Sequence, residues 1–411
     1  MIKVVNCSSR LLDAEIDKNF IDYLYGKENG MLYMDNAATT KPTKEVISDI
    51  TWCLENVWGN PSSIHTPGIE AKRLLEQSRE KVANFIDAES NEIIFTSSGS
   101  ESNNLAIKGF MDSNNLYDCI ITTEIEHPSV YNTCQYLSKD YKVVYTPVDN
   151  TGKVNVARFK QLISELSYSH YCFVTIMLAN NELGSINDIK KISQIVHHHR
   201  GILHVDATQA LSQIPVDVKE LDCDLLTFSG HKLGCPKGCA VLYKRNGISL
   251  SPIIHGGHQE GGLVAGTENL PYIYALGNQV ERLSKKEYSH GVIRDYLFDR
   301  IYELCYELNI EMKPNGSFVD RLPNLLSLTF DGINAETLIT LLDMKGVQVS
   351  AGSACSSGTK EPSRILKSIG LTDEEAFSTV RISISDDTTI EECNEFVRIL
   401  GECLQSLEIL E

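Results

Sequence analysis

The stretch Leu225-Leu226-Thr227-Phe228-Ser229-Gly230-His231-Lys232-Leu233-Gly234-Cys235-Pro236-Lys237-Gly238 decides how this chain is read. A short apolar run ends in Ser-Gly-His-Lys, and Gly and Pro follow. That pattern is a strand running into a loop. A lysine at such an exit can be held in a cleft, where a desolvated amine becomes a nucleophile. The plainer alternative is a surface lysine in a turn. The stretch alone leaves both open.

Working outward, similar apolar runs recur at 92–97, 119–123, 141–148, 171–178, 202–206 and 240–243, mostly with helical patterns between them such as 186–199. Many are apolar almost throughout, as in a sheet covered on both faces. The expected fold class is α/β, with a mainly parallel sheet covered by helices over residues 31–270. Beyond Pro271 the texture changes. A long helical stretch runs to about 296. Strands follow at 325–330, 347–349 and 380–385, with helices at 335–343, 362–368 and 389–408. This reads as a smaller α+β domain over 271–411, with residues 1–30 packing against it.

The bulk properties narrow the function. The chain has 411 residues, 42% of them hydrophobic, and a formal charge of −18. That excludes a basic nucleic-acid or anionic-membrane binder. No uncharged apolar run is long enough to span a bilayer and no basic leader opens the chain. Its 12 cysteines are scattered rather than framed. The expectation is a cytoplasmic protein with free thiols. Cys235 and Cys239 flank Pro236 and Gly238 near His231, but no second tight pair accompanies them, so no metal site is read there. The histidines at 197–199 end a helical pattern and read as solvated.

Functional groups in such sheets collect at the carboxyl ends of the strands. Ser98-Gly99-Ser100 follows a strand and opens a helix, where orphan N–H groups can hold a phosphate. An ordinary helix cap is the alternative. Asp206 ends the 202–206 run, and its carboxylate can pair with a protonated ring nitrogen. His127 follows a strand and can stack on a flat ring or shuttle protons. Asn180 can bond a ring substituent. With Lys232 these are the parts that pyridoxal phosphate requires. Arg381, inside an alternating strand, suits a substrate carboxylate or an ordinary exposed position. Cys355 lies in a loop of small residues (349–358), as an attackable thiol would. Cys172 reads as core filling.

The chain resembles the NifS/IscS-type cysteine desulfurases of the class V aminotransferase family, fold type I. The resemblance rests on YMDNAATT (33–40), GNPSSIH (59–65), FTSSGSESNNLAIKG (95–109), EHPSV (126–130), ANNELG (179–184), HVDATQ (204–209), SGHKLGCPKG (229–238), GGHQEGGLVAGTEN (256–269), GSACSSG (352–358), EPSRIL (361–366) and VRIS (380–383). It implies a pyridoxal 5'-phosphate enzyme that converts L-cysteine to L-alanine and leaves a persulfide on Cys355 for a sulfur acceptor. By the same resemblance Lys232 is the Schiff-base lysine and Asp206 pairs with the ring nitrogen. Gln209 bonds the ring hydroxyl, and His127 stacks on the ring. Ser98, Gly99, Ser100, Ser229 and His231 hold the phosphate. Asn36, Asn180 and Arg381 bind substrate. Thr267 reaches the phosphate of a partner subunit, which implies a homodimer with shared active sites. No direct nucleic-acid or membrane contact is implied. A selenocysteine lyase or other C–S lyase and a non-catalytic scaffold are the competing readings. Two departures stand out. Val264 occupies a position where relatives commonly have arginine, and Gly234-Cys235 replaces a Tyr-Gly pair.

Overall fold

The structure is a computed structural model that describes residues 31–287, 290–352 and 361–408. Cys355 and residues 1–30 lie outside the described residues. The chain opens with β1 (Leu32–Tyr33), followed by helices Lys44–Asn56 and Thr66–Phe85. Next come β2 (Ile93–Thr96), β3 (Tyr117–Thr123), β4 (Lys142–Thr146), β5 (Tyr171–Met177), β6 (Ile202–Asp206), β7 (Leu225–Ser229) and β8 (Ala240–Lys244). These form a seven-stranded sheet in the order β2-β8-β7-β6-β5-β3-β4. β8 is antiparallel to both its neighbours, while β3–β7 pair in parallel. The mainly parallel sheet expected from the sequence is therefore present, with β8 reversed.

Side-chain alternation explains the apolar runs. Along β5, Cys172, Val174 and Ile176 enter one core cluster, while Phe173 enters another on the opposite face. Successive residues of a strand point to opposite faces, so a strand covered on both must be apolar at every position.

The C-terminal part carries β9 (Met312–Pro314), β10 (Leu325–Phe330), β11 (Val347–Gln348) and β12 (Thr379–Ser383). A second sheet has the order β12-β10-β9, all antiparallel. The long helical stretch expected after Pro271 is instead two helices, Leu270–Leu283 and His290–Glu307. Strand β9 gave no apolar signal, because Met312-Lys313-Pro314 is too short to show alternation. β1 pairs with β11, and Met34 enters the C-terminal core. Residues 31–36 thus pack with the C-terminal elements rather than with the sheet they precede.

His197, expected to be solvated, lies between Asp222 (Nδ1 to Oδ2, 3.1 Å) and Asp224 (Nε2 to Oδ2, 2.9 Å). Arg245 joins both carboxylates. The Asp224 hydrogen bond raises the His197 pKa above the usual 6.5 against the opposing effect of burial. A folded-state pKa above the unfolded value means stabilisation that is complete below about pH 6.5 and is lost as pH rises through the folded value. We expect unfolding free energy to fall by roughly 0.2–1 kcal/mol across that window, and His197→Gln to flatten the slope. Urea melts of both proteins at pH 6 and pH 9 check this.

Candidate active site

The carboxyl ends of β5, β6 and β7 meet the segments after β2 and β3 around a cavity of about 360 Å³. Its lining includes Ser98, Gly99, Ser100, His127, Asp206, Gln209, Ser229, His231, Lys232 and Arg381.

Ser98 caps the helix Gly99–Asn104, with its hydroxyl accepting from Glu101 N–H at 3.1 Å. The Glu101 carboxylate in turn accepts from Ser97 N–H at 2.7 Å. A cap leaves the first helical N–H groups without intrahelical partners. A carbon added at Gly99 would lie 3.5 Å from Ser229 Cβ and 3.6 Å from Thr208 Oγ1. Glycine at 99 therefore keeps open the space between the helix start, Thr208 and Ser229.

Asp206 is 5% exposed at the end of β6. One carboxylate oxygen accepts from Asn103 Nδ2 at 2.8 Å and the other from Thr208 N–H at 3.0 Å. Two donors hold the carboxylate in one orientation. Beneath it, His204 is fully buried between the hydroxyls of Thr175 and Thr227. Burial pushes the His204 pKa down to about 4, so the ring is neutral.

His127 caps the helix Pro128–Leu137, its Nδ1 accepting from Ser129 N–H at 3.2 Å. An accepting Nδ1 places the proton of the neutral ring on Nε2. Burial lowers its pKa, as do Lys232 and Arg364, against the opposing effect of Asp206. The neutral form therefore dominates at pH 7. His231 bonds Thr39 Oγ1 at 3.1 Å. Its pKa is pushed down to about 4, first by burial and then by Lys232 and Lys237.

Lys232 follows β7 in a short turn and donates to the carbonyls of Ala37 and Ala38, the latter at 2.7 Å. Gln209 Nε2 donates to the same Ala37 carbonyl at 2.9 Å. Residues 37–38 thus form the floor against which the lysine rests. Gly234 has φ +79°, a left-handed conformation that a tyrosine would adopt only with strain. Cys235 is core rather than site. It is 1% exposed and burial pushes its pKa to about 12.

Arg381 is the most deeply buried arginine among the described residues, 2% exposed. All five residues of β12 are buried, so the alternation read from the sequence does not divide a wet face from a dry one. Its guanidinium donates to Asp35 Oδ1 (2.7 Å) and to the Asn181 carbonyl (2.9 Å).

Three predicted positions lie away from the cavity lining. Asn36 Nδ2 donates to the Ser383 carbonyl at 2.9 Å. Asn180 is fully buried, and its Oδ1 accepts from Glu182 and Leu183 N–H, both at 2.9 Å. Thr267 is exposed. Conversely, Asn181 and Thr208 line the cavity and Asn103 holds Asp206, none of which the sequence singled out. The Asn pair in ANNELG was legible, but which of the two faces the site depends on the turn that Asn180 closes. Glu126 was also missed. It is fully buried, with Oε1 accepting from Thr123 Oγ1 (2.7 Å) and Met177 N–H (3.1 Å). Burial pushes its pKa to about 8, so it is largely protonated at pH 7.

The fold and the site define one class of protein. The chain belongs to the class V aminotransferase family, described as "Aminotransferase class-V" and matched over residues 32–396. Among its relatives is "Cysteine desulfurase IscS" of Methanosarcina thermophila, 38% identical, with 92% of this chain and 93% of that protein covered. A solved "NIFS-LIKE PROTEIN" superposes with a TM-score of 0.83 at 34% identity, covering 91% of this chain and 99% of the other. "SspA in complex with cysteine" matches with a TM-score of 0.75 at 32% identity, covering 86% and 98%. The expected fold type I thus holds, and class V aminotransferases are pyridoxal-phosphate enzymes. The residues present fit that cofactor. The Gly99 cradle is open at a helix start, and a fixed carboxylate, a neutral imidazole and a lysine line the same cavity.

Proposed function

We propose that this chain is a pyridoxal-phosphate-dependent cysteine desulfurase. The observation that carries the reading is a single cavity lined by Lys232, His127, Asp206 and Arg381. The Gly99–Ser100 helix start, Ser229 and His231 would hold the phosphate, Asp206 the ring nitrogen, Gln209 the ring hydroxyl and His127 a ring face. Bound pyridoxal phosphate supplies an electron sink for the substrate Cα. Lys232 attaches the cofactor at rest and takes the Cα proton of the substrate. Arg381 binds the substrate carboxylate, with Asn181 on the same wall. His127, neutral with Nε2 protonated, exchanges protons at the substrate thiol.

Cys355, as thiolate, attacks the substrate sulfur. An S–S bond forms, the Cβ–S bond breaks, and a proton replaces sulfur on Cβ. Cysteine and a thiol thereby become alanine and a persulfide without an external oxidant. The described flanks of the Cys355 segment support this assignment. Ser363 donates to Glu182 Oε2 at 2.5 Å, and Gly352 approaches the same oxygen closely enough that an added Cβ would lie 2.9 Å away. Glu182 adjoins Asn181, which holds Arg381. Both flanks of the segment thus sit beside the substrate-carboxylate wall.

A homodimer accounts for two further features. Thr267 is exposed rather than in its own cavity, and Trp58 (75%) and Ile64 (94%) are apolar groups left in water. The persulfide goes to an acceptor protein. No helix among the described residues is long and apolar enough to cross a membrane, and we place the enzyme in the cytoplasm.

Product analysis with L-cysteine and a reductant tests the proposal. The wild type should yield alanine and sulfide, and Cys355→Ala should form no persulfide and lose at least about 100-fold in rate. A variant that keeps its rate, or releases pyruvate, would show a lyase instead.

A further inference from the structure

Arg381 is held from two sides before any substrate arrives. Its NH2 group donates to Asp35 Oδ1 at 2.7 Å and its NH1 group to the Asn181 carbonyl at 2.9 Å. Its Nε–H has no acceptor among the described residues, although it is buried. Asp35 is only 17% exposed in its side chain.

Asp35 cannot easily swing aside, because the chain on both sides of it is tied to β12. Met34 carbonyl accepts from Ser383 N–H at 2.8 Å. Ala37 N–H donates to Ser383 Oγ at 2.8 Å, and Asn36 Nδ2 donates to the Ser383 carbonyl at 2.9 Å. A carboxylate fixed in this way stays beside the guanidinium when a ligand enters. The ligand then meets an arginine whose charge is already partly neutralised, and it must share the remaining N–H donors with Asp35.

We infer that Asp35 is a positioning residue that also limits the affinity of the site for amino-acid carboxylates, substrate and product alike. The inference rests on the reading of Arg381 as the carboxylate partner. It extends that reading to a residue that does not itself line the cavity and reaches the site only through Arg381.

Calorimetric titration of the holoenzyme with L-alanine and with L-alaninamide, which lacks the carboxylate, tests it. Asp35→Asn keeps an oxygen acceptor for Arg381 and removes the charge. It should bind L-alanine about threefold to tenfold more tightly than the wild type and bind L-alaninamide unchanged. Asp35→Ala, judged by the same criterion, serves if the first variant does not fold. Unchanged or weaker alanine binding, in a wild type that prefers alanine to its amide, overturns the inference and leaves the carboxylate role of Arg381 standing. A wild type with no such preference overturns both.

Discussion

Lys232→Ala is expected to lower alanine formation from cysteine by about 10⁴-fold, the upper range for loss of a positioned proton-transfer group. The structure gives this lysine a second, purely structural occupation, because its amine donates to the Ala37 and Ala38 carbonyls. If that tether were its whole role, Lys232→Arg would restore activity by keeping a cation and its donors. A guanidinium stays protonated at all accessible pH and serves neither as nucleophile nor as base. Both variants should therefore be inactive, and both should lose the visible absorbance that marks covalent cofactor attachment. Thermal melts would show that the fold survives. An arginine variant with more than a tenth of wild-type activity would sink the assignment.

The second large effect concerns stability. Arg79, on the helix Thr66–Phe85, forms a two-pronged pair with Glu260 at 2.7 and 2.8 Å. Both side chains are nearly buried, at 9% and 3% exposure. Glu260 also accepts from Phe95 N–H at 2.9 Å, and Arg79 donates to the Ile93 carbonyl at 2.8 Å. This pair fastens the 256–267 segment to the β2 edge of the sheet. Glu260→Ala leaves the buried Arg79 with only the exposed Glu76 at 3.1 Å, so it should cost about 3 kcal/mol in urea unfolding, the lower end for a broken buried pair. Replacing both partners by methionine should cost much less than either single change, because no orphaned charge remains. Glu260 also has φ +47°, so Glu260→Gly relieves backbone strain and should be milder than Glu260→Ala. Equal losses in single and double variants would show that the pair contributes only packing. In the same segment Val264 packs against an apolar cluster.

The strands of the large sheet were legible because burial on both faces demands apolar residues at nearly every position. Lys232 was legible for a different reason. A strand ending in Ser-Gly-His-Lys sets the amine at a sheet exit, and Asp206, His127 and the Ser98–Ser100 turn follow equivalent strands. Each of those signals is local.

What the sequence could not state is which distant residues meet. Asp35 and Arg381 are 346 positions apart, and Arg79 and Glu260 are 181 apart. Such partners are brought together by the crossing of whole elements, which leaves no trace in local periodicity. The same holds for protonation. Nothing in the local sequence marks Glu126, and only its complete enclosure pushes its pKa to about 8. By itself the sequence determined the strands of the sheet, the family and the position of Lys232 at a strand exit, because these follow from local pattern and motif. Tertiary structure alone decided that Asn181 rather than Asn180 faces the cavity, and that Arg381 is buried against Asp35. Both depend on how the turn after β5 packs against β12, and packing between separate elements is not written in either one.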